Sequence, residues 1–296
     1  MPSYKELFEQ IGSHLSARRK ALIWRSVMLT SPAVFFIVIF LLADWYMPWL
    51  ESLPRSLAQF IALTVIMLGV AFGAVFRFIF EIEKRIWVDS YFDGEPLTLG
   101  ESWGIATKLF VPGIIFQIKV WFYYYAIPTL LFFLSAGLLI AFDDARIGIV
   151  GLFISLVTLS IYAYYLRVRL RYTWFYFLDN YGVPGMMSVA QVASGINQLN
   201  EVMKGEAFKK SLVVMFGTDA VNAIANIAIS SVEKGVGSLG GGMAMVGMIA
   251  GVIGREISWQ VTDYGNIAAQ YALYRIARKE ITGKEQEVNH FIYDLR

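Results

Sequence analysis

The sequence predicts an all-α, polytopic integral membrane protein with about six transmembrane helices and amphipathic helices at the membrane surface. Three observations carry that expectation. Of 296 residues, 57% are hydrophobic and 16% charged, too little polar surface to cover a water-soluble domain of this size. Apolar runs of about 20 residues, the length an α-helix needs to cross a hydrocarbon core of roughly 30 Å, recur along the chain. The basic residues collect between alternate runs, as they do when helices are threaded with a fixed sidedness.

Residues 1–26 read as an amphipathic helix lying on the membrane. The stretch is polar and lacks the apolar core and small-residue cleavage site of a secretory signal, so the chain is expected to begin at or near Met1. Ser3 and Glu6 have the spacing of a capping box, and Tyr4, Leu7, Phe8, Ile11 and Leu15 follow at helical intervals. Arg18, Arg19, Lys20 and Arg25 would hold this helix to anionic headgroups.

Six spans follow, at about Thr30–Leu50, Leu57–Phe80, Phe122–Phe142, Ile147–Leu166, Ser211–Val232 and Met243–Thr262. Most of the 25 Lys and Arg residues fall on the side shared by the two termini and the two long connectors, whereas the opposite loops hold Arg55, Arg146 and Lys234. Both termini are therefore expected in the cytoplasm, with the plasma membrane as the location. Aromatic clusters agree with this threading: "WYMPW" (45–49) closes the first span, "WFYYY" (121–125) opens the third and "YAYY" (162–165) closes the fourth.

The long connectors share a pattern. "WVDSY" (87–91) and "FLDNY" (177–181) stand ninety residues apart, and in that register Arg77 meets Arg167, Asp89 meets Asp179, Thr98 meets Ser188 and Glu101 meets Gln191. The last two pairs give each copy a capping box, preceded by Gly94 and Pro96 in one and by Gly182, Pro184 and Gly185 in the other. Each copy thus reads as a helix leaving the membrane, a turn and a capped helix returning. Residues 27–120 and 121–210 are expected to be parallel repeats, with 211–296 forming a helix pair and a cytoplasmic tail. Two arginine- and turn-containing cytoplasmic loops could also match by composition alone.

The second copy, "RYTWFYFLDNYGVPGMMSVAQVASGINQLNEVMKGEAFKK", and the closing "AAQYALYRIARK" (268–279) resemble polytopic families related to the membrane domain of glycerophosphodiester phosphodiesterases. The resemblance implies a fold and no reaction, because no soluble phosphodiesterase domain is attached and Asn180 and Tyr181 interrupt the acidic-Gly turn of those proteins.

Three groups of residues are candidates for function. In the fifth span Asp219, Asn222, Asn226 and Ser230 recur at intervals of three and four, a polar stripe that cannot face lipid. It either lines a cavity or pathway or bonds to neighbouring helices. In the sixth, Arg255 either reaches an acid such as Asp219 or extends to the cytoplasmic interface, and Glu256, Gln260 and Asp263 share one face. Arg167, Arg169 and Arg171 below "YAYY" are expected to hold lipid headgroups.

Other patterns lead to bland readings. "GVGSLG" (235–240) spells a dinucleotide fingerprint, but between two membrane helices it reads as a turn. Gly69 with Gly73 and Gly247 with Gly251 suit close helix packing. Asp44, Asp143 and Asp144 are too scattered to assemble a calcium site.

Cysteine is absent, and the only histidines, His14 and His290, lie outside the apolar runs. With no G-x-S-x-G, H-E-x-x-H or Walker pattern, no catalytic residue, metal or cofactor is expected. A net charge of +2 gives no reason to expect nucleic acid. The expected partners are membrane lipids and a membrane protein or a second copy of the chain. The expected role is a non-enzymatic scaffold, assembly or envelope-homeostasis component, with a small transporter or channel using the fifth span as the other reading.

Overall fold

The computed structural model describes residues 3–41, 43–94, 96–141, 145–182, 188–202, 205–240 and 242–282. Every regular element among them is an α-helix: α1 (Tyr4–Leu41), α2 (Ala43–Glu51), α3 (Arg55–Phe92), α4 (Leu99–Lys108), α5 (Phe110–Tyr124), α6 (Ala126–Ala141), α7 (Ala145–Arg169), α8 (Thr173–Asn180), α9 (Val189–Val202), α10 (Glu206–Gly237) and α11 (Gly242–Thr282). Asp143, Asp144, Pro184, Gly185, His290 and the side chain of Asp44 lie outside the described residues.

By length and composition, three of these helices can cross a membrane: Arg55–Phe92, Ile149–Arg167 and Phe208–Gly237. The pair Leu99–Lys108 and Phe110–Tyr124, bent by 58°, makes a fourth if it is a single span. Length and composition thus support three or four of the six expected spans, and the departures have local causes. Met243–Thr262 lies inside α11, where Arg255, Glu256, Ser258 and Gln260 dilute the apolar run. Thr30–Leu50 is shared between α1 and α2.

Phe122–Phe142 is divided between α5 and α6 at Tyr125. Pro128 has no N–H for the carbonyl of Tyr124, four residues earlier, and its ring crowds that oxygen. The hydroxyl of Tyr162 on α7 donates to it instead, at 3.2 Å. Pro112 has the same relation to Lys108, at the bend between α4 and α5. The expected surface helix and the first part of the expected first span form one helix of 38 residues, α1, with Pro32 inside it.

The chain forms two compact units: Pro2–Ala106 with Val213–Ala269, and Thr107–Leu212 with Gln270–Arg296. In the first, α3 is exposed along its apolar stretch, at Phe60, Leu63, Ile66 and Leu68, and buried at most positions from Ile79 to Ser90. There Trp87 meets the rings of His14 and Tyr264, and Phe80 meets Trp103. Ile11 packs with Val214 and Ala269. Farther along, Gly73 faces Pro32, so the α1 and α3 chains run side by side through the first hairpin.

The same unit contains a second hairpin of α10 and α11. A Cβ at Gly251 would come within 2.7 Å of the Glu233 carboxyl group, and one at Gly247 within 3.2 Å of the Glu233 carbonyl. The small residues let the helices approach as their spacing predicts.

In the second unit the core is α8, buried at Thr173 and from Phe175 to Asn180. Phe175 meets Tyr271 and Tyr274 of α11, and Phe177 meets Phe116 of α5. A Cβ at Gly195 of α9 would overlap the ring of Tyr176. The apolar faces of α6 and α7 remain exposed, at Ile127, Leu130, Phe133, Ile149, Phe153 and Ile161.

Candidate functional site

The stripe on α10 meets partners across the hairpin. Ser258 of α11 donates to Asn222 Oδ1 at 2.9 Å, and Asn226 donates to the same oxygen at 3.4 Å. Asp219 is half-buried one turn earlier. Arg255 reaches an acid, but the acid is Glu233 near the end of α10 rather than Asp219: its guanidinium donates to Glu233 at 2.6 Å. The antiparallel pairing explains this choice. Residue 255 lies about level with 226, and a helical side chain leans toward its own N-terminus, here toward the turn and Glu233. Glu256, next along α11, accepts from Gln260 at 2.8 Å and pairs with Arg77 of α3 at 3.4 Å. Two adjacent residues thereby tie α11 to two different helices.

The residues of the repeat pattern hold their elbows in closely similar ways. Thr98 N–H donates to Glu101 at 2.8 Å and Glu101 N–H donates to Thr98 Oγ1 at 3.3 Å. In the second copy Ser188 donates to Gln191 at 2.6 Å and the Gln191 N–H returns to Ser188 at 3.3 Å. Gly94 and Gly182 both take positive φ, 80° and 82°, which only glycine adopts without strain. Asp89 and Asp179 are both buried. Tyr274 and Arg278 both donate to Asp179 Oδ2, the latter at 2.6 Å. Burial, and then the carboxylate itself, raises the Tyr274 hydroxyl well above its ordinary range. Burial pulls Arg278 down, but Asp179 together with Tyr274 and Tyr176 outweighs it and leaves its pKa raised. These groups brace the helix end; the phenol stays protonated.

The arginine ladder turns from α7 into α8. Arg169 donates to Tyr165 at 2.9 Å and to Asn197 at 2.8 Å, and its carbonyl accepts from Asn200 at 2.9 Å. Arg171 lies over the rings of Tyr172 and Phe208, at 4.5 and 5.4 Å. Both border a cavity of about 550 Å³ that also includes Glu201 and Gly205. Arg167 is exposed and not among its lining residues.

Sequence reading missed the charges inside the first unit. Arg25 of α1 pairs with Glu83 of α3, each at most 2% exposed, and Ser102 of α4 donates to Glu83 at 2.6 Å. Lys84 pairs with Glu81 at 2.6 Å and with Asp263 of α11. Arg18 donates to the Leu97 carbonyl at 2.6 Å and covers Trp87. The run "EIEKRI" (81–86) reads only as part of a helix leaving the membrane, with no partner evident for its charges. The available signal was the apolar spacing of Ile79, Ile82 and Ile86, which continues the helix and gives it a buried face.

Among the described residues no group of three or more His, Cys, Asp or Glu side chains could hold a metal ion. No family model, curated protein or solved structure matches the chain.

Proposed function

We propose that the protein is a non-enzymatic, multi-pass protein of the plasma membrane that acts as a scaffold, assembly or envelope-homeostasis component. Its apolar helices anchor it, and its cytoplasmic and interfacial helices do the work. One observation carries the reading: burial is concentrated in the polar-flanked ends of α3, α8 and α11, while the long apolar helices keep their surfaces uncovered. Such surfaces require lipid or other membrane helices.

A threading with six crossings and both termini in the cytoplasm fits the hairpins. If α10 crosses, the pairings of Asn222 with Ser258 and of Glu233 with Arg255 carry α11 back alongside it, despite its lower hydropathy. The Gly73 and Pro32 contact does the same for α1 and α3, and Tyr162 with Tyr124 for α7 and the broken helix before it. The parallel elbows favour an internal duplication. The likeness to membrane domains related to glycerophosphodiester phosphodiesterases fits a helical membrane fold and adds no reaction.

The transport reading is less favoured because the stripe residues Asn222 and Asn226 are engaged with each other and with Ser258. Asp219→Asn separates the two. Scaffolding predicts that partner recovery by cross-linking in native membranes is unchanged, and that disrupting α4 or α9 abolishes it. Loss of solute flux in vesicles reconstituted with the Asp219→Asn protein would decide for transport instead.

A further inference from the structure

We propose that the second unit carries a binding site for one phospholipid with an anionic headgroup, its phosphate held at Arg169 and Arg171 and an acyl chain lying along α7. The inference needs only that the chain sits in a bilayer, and it stands whether or not the protein is a scaffold.

Two cavities share one face of α7. The first, about 440 Å³, is bordered by Ser155, Thr158 and Tyr162 on α7 and by Ile127, Pro128 and Phe132 on α6. The second, about 550 Å³, begins at Tyr165 and Arg169. The five α7 residues Ser155, Thr158, Tyr162, Tyr165 and Arg169 follow intervals of three, four, three and four, so they form a single stripe. From Ser155 to Arg169 that stripe rises about 21 Å at 1.5 Å per residue, compared with roughly 15 Å for half a hydrocarbon core. Its apolar end lies within Ile149–Arg167, a helix long and apolar enough to span, and its basic end lies just past it, at headgroup depth. The order of chemistries matches an amphiphile.

The basic end is built rather than incidental. Tyr165 and Asn197 fix the Arg169 guanidinium, and the Asn200 bond to its carbonyl fixes the backbone. The rings of Tyr172 and Phe208 confine Arg171. Preorganised guanidinium groups suit phosphate oxygens, which accept paired N–H donors. Gly205, whose carbonyl accepts the Lys209 N–H at 3.1 Å, brings the start of α10 to the same cavity. Glu201 also borders the cavity and opposes an anion. Its carboxylate can accept from the hydroxyls of a headgroup.

Pro128 borders the apolar cavity, and the helix is interrupted beside it at Tyr125, between α5 and α6.

The test uses the full chain purified in an uncharged maltoside detergent, with native mass spectrometry reading retention of added phosphatidylglycerol, phosphatidylcholine or inorganic phosphate. Phosphatidylglycerol is expected to be retained one per chain and phosphatidylcholine not. Arg169→Gln with Arg171→Gln should lower retention by about tenfold. Thr158→Trp, which fills the apolar cleft and leaves both arginines in place, should lower it as well. If the arginine variant fails to fold, Thr158→Trp decides. Equal retention of both lipids, or retention unaffected by Thr158→Trp, overturns the proposal. Complete displacement of phosphatidylglycerol by inorganic phosphate also overturns it, assigning the arginines to free phosphate.

Discussion

Arg25 and Glu83 form an ion pair closed to solvent, one from a helix that sequence places at the membrane surface and the other from the end of the helix α3. Ser102 donates to the Glu83 oxygen that faces Arg25. The guanidinium also lies 5.7 Å from the ring of Phe80. Two charges removed from water must be held together closely, because each costs several kcal/mol to desolvate.

Removing one of them is accordingly costly. Glu83→Ala should lower stability by about 3 to 5 kcal/mol, since the Arg25 charge is left buried and alone. Thermal unfolding of the detergent-solubilised protein measures this. The double change Arg25→Met with Glu83→Leu should restore most of the loss. A double variant as unstable as Glu83→Ala would show that the pair fixes the helix arrangement rather than only neutralising itself.

His14 should make stability depend on pH. It is 2% exposed and lies against Tyr91 and Phe92, with Nδ1 bonded to the Gln10 carbonyl at 2.8 Å. Burial lowers its pKa below the ordinary 6.5, and the Gln10 bond offsets this only in part. The unfolded chain therefore binds a proton first. Stability is full above about pH 6.5 and declines as pH falls from there through the lowered folded value, by at most about 1.4 kcal/mol per pH unit. Arg18, brought down to about 10 by burial against the pull of Glu83, stays charged throughout this window. Melting curves of His14→Phe should lose that component of the slope.

Tyr162 and Pro128 should show compensation. Tyr162→Phe removes the donor to the Tyr124 carbonyl and should cost about 1 kcal/mol. Pro128→Ala restores an N–H in register with that carbonyl. In the double variant the cost should vanish, which a double-mutant cycle of melting temperatures reports.

The sidedness is open to direct labelling, because the chain contains no cysteine. Cysteine placed at Gly100 or Ala190, both exposed, should react with an impermeant maleimide only after cells are permeabilised. Cysteine at Ser238, exposed in the turn before α11, should react on intact cells. The opposite pattern would invert the proposed topology.

Much of the fold was legible because its causes are local. Apolar length marked α3, α7 and α10, capping pairs marked the starts of α1, α4 and α9, and glycine marked the elbows. Helix length and composition fall short of the six expected spans where a helix runs on through polar residues, as α11 does, or is interrupted near a proline, as between α5 and α6. Hydropathy averages over both. The stripe on α10 was legible as a set, but its partners were not.

The sequence by itself determined where helices form, where they turn and how much surface must avoid water, since periodicity, capping and hydropathy act between neighbours in the chain. Tertiary structure alone decided that Arg255 meets Glu233, that Arg25 meets Glu83 and that Asp179 meets Tyr274. Those partners are separated by 22, 58 and 95 positions. Each choice follows from which helices pack side by side and at what register, and that is fixed by the fit of whole faces rather than by any short stretch of chain.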